Sequence, residues 1–169
     1  MSLSFLNQVR LFLLAAWLGA AIYFSAAVAP NVFGVLRSLS LTNASEIAGS
    51  IVTRTLSIVN VSGFILSLLL LITTFAVMRN YGRVSLILQL ALLMIMTVAT
   101  GLGEWVIAAR MRGLRAAMLG QIDQVPLTDP NRIAFAALHG YSVSALGIAM
   151  IAGLIACFVI ANRFKVAER

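Results

Sequence analysis

The chain has 169 residues, a mean hydropathy of +1.04, 62% apolar residues and only 10% charged ones. Soluble domains carry roughly 25% charged residues, so this chain cannot cover a water-facing surface, and its length is that of one domain. The net charge of +7 does not make it a nucleic-acid binder, because the basic residues sit at the ends of apolar runs rather than along one face.

The first apolar run, from Leu11 to Ala29, carries no charge. A bilayer core of ~30 Å needs about 20 helical residues, so this run predicts a first span over about 11–30. Ala27-Val28-Ala29 also fits a signal-peptide cleavage site, but Pro30 directly after it disfavours cleavage, and an uncleaved helix is expected. Pro30 should end or kink that helix. Ala15 with Gly19, and Ala16 with Ala20, have the small-xxx-small spacing that lets another helix approach.

Arg37 to Asn43 reads as a short polar connection, with Thr42 or Asn43 as the next helix cap. The second span is expected over about 55–78 within a helix that starts near Ser45. Along it Glu46, Ser50, Thr53, Ser57, Asn60, Phe64, Ser67, Leu71 and Thr74 alternate in steps of four and three, which places them on one face. Such a polar stripe should face protein or a wet cavity instead of lipid. Packing glue between helices is the plainer reading of the same stripe.

Arg79 to Arg83 reads as a tight turn, which makes the second and third spans antiparallel neighbours. The third span, about 84–104, has Gln89, Leu93, Thr97, Thr100 and Glu104 on its polar side. Met94 and Met96 fit packing better than Cu(I) ligation, which needs several converging thioethers. Trp105 suits the lipid–water boundary. The helix should run on to about Met118, before a loop over Gln121 to Asn131.

Arg132 opens the last helix, whose span is about 138–161, and Arg163, Lys165 and Arg169 close the chain as anchors. The expected fold is an all-α integral membrane protein: an antiparallel four-helix transmembrane bundle, up-down-up-down, in one domain over residues 1–169. Arg10 falls among the interfacial arginines on the side of the termini. Lys and Arg count six against six on the two sides, and the side of the termini, with fewer acids, is expected in the cytoplasm.

Antiparallel topology puts the end of the first span, the start of the second, the end of the third and the start of the fourth at one depth. Tyr23, Arg54, Ser57, Asn60, Glu104, His139 and Ser142 all fall in or beside that leaflet and form the candidate polar pocket. On the last helix Ala136, His139, Ser142, Leu146 and Met150 share a face, which points the single histidine inward. Its imidazole has Glu104, Asn60 and Ser57 within reach as partners, and Arg54 with Glu104 makes a natural ion pair at this depth. One histidine excludes a three-histidine zinc site or a bis-histidine haem within one chain. No cofactor is required by the sequence; a His/Met haem, a haem shared across a dimer, or copper remains compatible with it. Cys157 lies 18 residues from His139, roughly 27 Å along a helix, and cannot ligate the same ion. No serine stands beside a base as a nucleophile and no phosphate loop follows a strand, so no enzyme is expected.

Gly19 to Phe24, continuing to Ala29-Pro30-Asn31-Val32-Phe33, resembles the first helix of transmembrane-protein-205-like proteins, the bacterial domain of unknown function 4149. Leu138-His139-Gly140-Tyr141-Ser142 resembles the start of their last helix. The resemblance implies a four-helix bundle of the bacterial inner membrane, distantly similar to copper-resistance membrane proteins of the D type, and brings no mechanism with it. The family pattern often has an asparagine two turns after the histidine, where this chain has Leu146. The first functional expectation is a polar leaflet that binds or passes a small solute or a metal ion, in a resistance-type role. The alternatives are a non-catalytic accessory subunit of a larger membrane complex and a haem or metal redox module. The bilayer is the expected partner, with a second membrane protein or a homo-oligomer beside it.

Overall fold

The computed structural model describes residues 3–77 and 82–162. Most of the expected 79–83 turn and the anchors Arg163, Lys165 and Arg169 lie outside the described residues. Among the described residues there is no strand, and four helical rods are long and apolar enough to cross a membrane: Phe5–Ser38, Ala44–Val77, Arg83–Ala117 and Pro130–Ala161. The chain is a multi-pass membrane protein.

The first rod joins α1 (Leu3–Tyr23), a π-helical turn (Phe24–Val28) and α2 (Ala29–Ser38). Of the two outcomes expected at Pro30, an end or a kink, the end does not occur: the helix runs on through a π turn. Proline has no N–H to give, and its ring crowds the carbonyl of the residue four back. The wider π turn just before it absorbs that misfit. Ser25 Oγ donates to the Ala21 carbonyl at 2.9 Å and Asn31 Nδ2 to the Ala27 carbonyl at 2.8 Å, so side chains serve carbonyls along the distorted stretch.

The second rod is α3 (Ala44–Val77), whose 34 residues reach about 51 Å at 1.5 Å each, well beyond a ~30 Å hydrocarbon core. The third rod joins α4 (Arg83–Gly101), a second π turn (Leu102–Ala108) and α5 (Ala109–Ala117). The fourth is α6 (Pro130–Ala161). Asp129 caps it, accepting from the N–H groups of Asn131 and Arg132 at 2.8 and 3.0 Å, with Pro130 in the first turn where its missing N–H costs nothing.

The pairing of side chains fixes the directions of the rods. Arg10 meets Thr74 and Gln89, Trp17 meets Val59, Thr97 meets Ser67, and Ser57 meets Glu104. Each step forward on one rod is thus a step back on the next, for the first three rods. Leu14, Trp17 and Leu18 face Gly153 on α6, and Ser142 stands near the level of Ser57, so α6 runs along α3 and against α1. The packed centre holds Leu14, Trp17, Leu70, Leu93, Met96 and Ile160. Phe12, Ile58, Ile72, Ile151 and Phe158 point out as the lipid-facing surface. The alternating stripe on α3 turns inward where the bundle is tight: Asn60, Ser67, Leu71 and Thr74 are buried, as are all five of the polar-side residues Gln89 to Glu104.

The small-residue face of α1 takes no part in packing within the bundle. Ala15, Ala16, Gly19 and Ala20 are all exposed, on the outside of the bundle. Gly63 and Gly153 are the glycines that admit the Trp17 indole. Arg10, expected as a surface anchor, is 1% exposed.

At the end of the bundle beyond Tyr23 the four rods separate into two pairs. There α2 packs chiefly on α3, and α5 chiefly on α6. Glu46 bridges the two pairs. Its carboxylate receives Arg115 Nε at 3.0 and 2.9 Å and Arg115 Nη2 at 2.6 Å, plus the Ile122 N–H at 3.1 Å. The Glu46 N–H in turn donates to Asp123 at 3.3 Å, so an acid from the distant loop serves the first turn of α3; no side chain of Thr42 or Asn43 does so among the described residues. Glu46→Ala should therefore loosen the 118–129 loop at a cost of about 1–2 kcal/mol. Faster amide exchange over 118–129, with exchange at α4 unchanged, is the expected readout; unchanged loop exchange would contradict the bridging role.

Candidate functional site

Between the separated pairs lies a cavity of about 1080 Å³. Pockets that enclose a drug-sized ligand run to ~300–1000 Å³, so there is room for one. Its floor is made where the rods begin to converge. Ser57 on α3 donates to Glu104 Oε1 at 2.9 Å, Asn60 stands one turn deeper, and Ser142 closes the floor from α6. Glu104 is 8% exposed and Asn60 3%.

Local sequence explains how an acid comes to sit there. Glu104 falls inside the π turn Leu102–Ala108, which follows Gly101 and contains Gly103. The extra residue per turn re-aims the side chains that follow it. A Cβ on Gly103 would stand 3.2 Å from Asn60 Nδ2, so the absence of a side chain there gives the amide its place. Trp105, on the same turn, is half-exposed and packs edge-on against Phe64 with ring centroids 4.6 Å apart.

Six of the seven candidate residues line this one cavity: Arg54, Ser57, Asn60, Glu104, His139 and Ser142. Tyr23 does not. It is 67% exposed and points outward, because the buried stripe of α1 runs through Leu14, Trp17, Leu18 and Ala21 and leaves Tyr23 on the other face. The expected Arg54–Glu104 pair is also absent. Arg112, two turns on along the same rod, is the cation nearest Glu104, at 3.9 Å from Oε1 with its own side chain 57% exposed. At that length and exposure the pair is loose and contributes little.

His139 makes no hydrogen bond among the described residues; it is exposed and lies on the open part of the lining, while Ser142 and Leu146, deeper on the same face, are buried. Glu104 Oε2 is a buried atom with no hydrogen-bond partner among the described residues, and Asn60 and Ser142, 3% and 5% exposed, make no side-chain hydrogen bond among them. Buried polar groups are normally satisfied, by protein or by something bound.

Sequence reasoning missed the upper wall. Arg112, Arg115, Arg132, Phe33, Met111 and Phe135 also line the cavity. The signal was present in the cluster of arginines over 110–115, but a charged run past a span reads as an anchor, and only the continuation of α5 over the cavity brings it into the site. Among the described residues no three of His, Cys, Asp and Glu come together as a metal site. His139, Met111 and Met118 share the lining.

A family model described as a domain of unknown function (DUF4149) matches residues 12–119. The match covers the first three rods, with Arg54, Ser57, Asn60 and Glu104, and stops before α6 and its His139. No curated protein and no solved structure matches the chain.

Proposed function

We propose that this chain, which belongs to the domain of unknown function 4149 family, is a bacterial inner-membrane binding protein that takes a small solute into the cavity between its two helix pairs. The observation that carries the reading is the cavity floor: the unpartnered, buried Glu104 Oε2 with Asn60 and Ser142 beside it, at the bottom of a space open on one side. Such groups are functional candidates in a membrane segment. The proposed role is binding or passage without turnover, with the termini in the cytoplasm. The donors present suit an organic solute better than a metal ion in a resistance-type role, because one imidazole and two scattered thioethers do not make a converging set.

Protein purified gently from membranes should release a non-covalently bound small molecule on denaturation, detected by mass spectrometry. Ala136→Trp, which fills the cavity from an exposed lining position, should remove that molecule while leaving the helical signal intact. Identical released species from both proteins would sink the reading. A visible absorption band or stoichiometric copper, lost in His139→Ala, would favour the redox module instead.

One observation favours a second reading. Ala15, Ala16, Gly19 and Ala20 leave a small-residue face on the outside of the bundle, which suits an accessory subunit packed against another membrane helix. A co-purifying chain lost in Gly19→Leu, with the cavity variant unaffected, would select it.

A further inference from the structure

The charges around the cavity do not cancel. Of the four arginines in its lining, Arg115 is held by Glu46 at 2.6 Å and Arg112 is the cation beside Glu104 at 3.9 Å. Arg132 donates to the Val125 carbonyl, a neutral acceptor. Arg54 is exposed and has no acceptor among the described residues. Glu46 is thus spent on Arg115, and Glu104 accepts from Ser57 beside the loosely placed Arg112 with its Oε2 open; Arg54 and Arg132 have no carboxylate partner among the described residues, and His139 shares the lining with them.

Their depth is informative. Arg54 is the last charge on α3 before the uncharged run from Thr55 to Val77, which at 1.5 Å per residue is about 34 Å, close to the hydrocarbon thickness. Arg54 therefore stands where lipid phosphates stand. Asn60 lies six residues deeper, about 9 Å along the helix, and offers an unspent amide; Ser142 offers a hydroxyl beside it. The walls between are apolar, with Phe33 from α2 and Phe135 from α6 on the two sides where the helix pairs part.

Resting on the binding reading above, the geometry points to an anionic phospholipid with a hydroxylated headgroup as the ligand. Its phosphate sits at Arg54 and Arg132, its head hydroxyls turn in to Asn60 and Ser142, and its acyl chains leave between α2 and α6 into the bilayer. Charge complementarity selects the anion: a guanidinium holds phosphate oxygens through a planar fork of donors. A choline head has no hydroxyl or N–H to offer Glu104 Oε2, Asn60 or Ser142 at the floor, where a glycerol head can donate, and a zwitterionic lipid leaves the surplus guanidinium charge uncompensated.

The test is native mass spectrometry of the full chain in non-ionic detergent, titrated with dioleoylphosphatidylglycerol, dioleoylphosphatidylcholine or glycerol 1-phosphate. The expected result is retention of phosphatidylglycerol at about tenfold lower concentration than phosphatidylcholine, the order of one charge-assisted contact. Arg54→Gln should erase that preference, and Asn60→Leu should weaken phosphatidylglycerol alone. Arg83→Gln, at the other end of the bundle, should leave it unchanged. Equal retention of the two lipids, or a preference that survives Arg54→Gln, overturns the inference. Binding of glycerol 1-phosphate as tight as that of the lipid overturns it too, by showing that the chains play no part. A different molecule released from the wild-type cavity and lost in Ala136→Trp would leave the binding reading standing while this assignment falls.

Discussion

Arg10→Met should destabilise the folded bundle by about 2 kcal/mol, and Arg10→Met combined with Gln89→Leu should recover at least half of that loss. Arg10 is 1% exposed, on α1, at the end of the bundle away from the cavity. Its Nη2 donates to Thr74 Oγ1, to Gln89 Oε1 at 3.3 Å and to the Leu70 carbonyl at 3.5 Å, and its Nη1 to Asn7 at 3.2 Å. One planar guanidinium thus ties α1 to α3 and α4, a task the single ammonium of lysine cannot repeat. Two effects oppose each other. Methionine avoids the desolvation of a charge, which favours the variant. It also leaves the buried Gln89 and Thr74 facing a thioether, and orphaned buried acceptors cost ~1–3 kcal/mol each. The second effect should win because several acceptors lose their donor at once, while hydrogen bonds to the charge already offset much of its desolvation. Unfolding in detergent, followed by helical circular dichroism, gives the two numbers. A neutral or stabilised single variant, or a double variant no better than the single, would remove Arg10 from its role as a clamp.

That clamp shows where sequence pattern stops being informative. Apolar run lengths fix four spans because a ~30 Å core leaves no other structure for the backbone, and the four rods follow. The depth of Ser57, Asn60, Glu104, His139 and Ser142 was legible for the same reason: antiparallel connections decide which helix ends share a leaflet. Their rotation about the helix axes was only partly legible. The stripe from Glu46 to Thr74 needed an undistorted helix, which α3 is. Tyr23 was placed by depth alone, and it falls off the buried stripe of α1 that runs through Leu14, Trp17, Leu18 and Ala21. Arg10 was misplaced because a basic residue near the head of an apolar run reads as an anchor, and its acceptors on α3 and α4 lie 60 to 79 residues away in sequence. The Glu46–Arg115 bridge was hidden likewise: both residues lie beyond the spans, where a charge reads as solvated until two helices are seen to run on and meet.

The second large effect concerns Trp17. Its indole is 6% exposed and wedged between α3 and α6, with Nε1 donating to the Val59 carbonyl at 3.0 Å. A Cβ on Gly63 would stand 2.7 Å from Trp17 Cζ2 and 2.8 Å from Cε2 and Nε1. The ring is not free to step aside, since it is 6% exposed within the packed core and its hydrogen bond to the Val59 carbonyl holds the indole in place. Gly63→Ala should therefore force α1 and α3 apart or break the Val59 bond, at a cost of about 1–3 kcal/mol. Gly19→Ala is the matched control, with nothing within 4 Å of the new methyl group. On an exposed helix face alanine is favoured over glycine by about 0.8–1 kcal/mol, so this variant should be neutral or slightly stabilising. The two substitutions are chemically identical and both lie in helices, so propensity predicts the same sign for both; only the packing of Trp17 predicts opposite signs. Parallel thermal unfolding of the two proteins separates the explanations. Trp17→Phe/Gly63→Ala supplies the closing check: with the larger ring gone, the added methyl should cost less than it does in the wild-type background, and an undiminished cost would place the strain somewhere other than the indole.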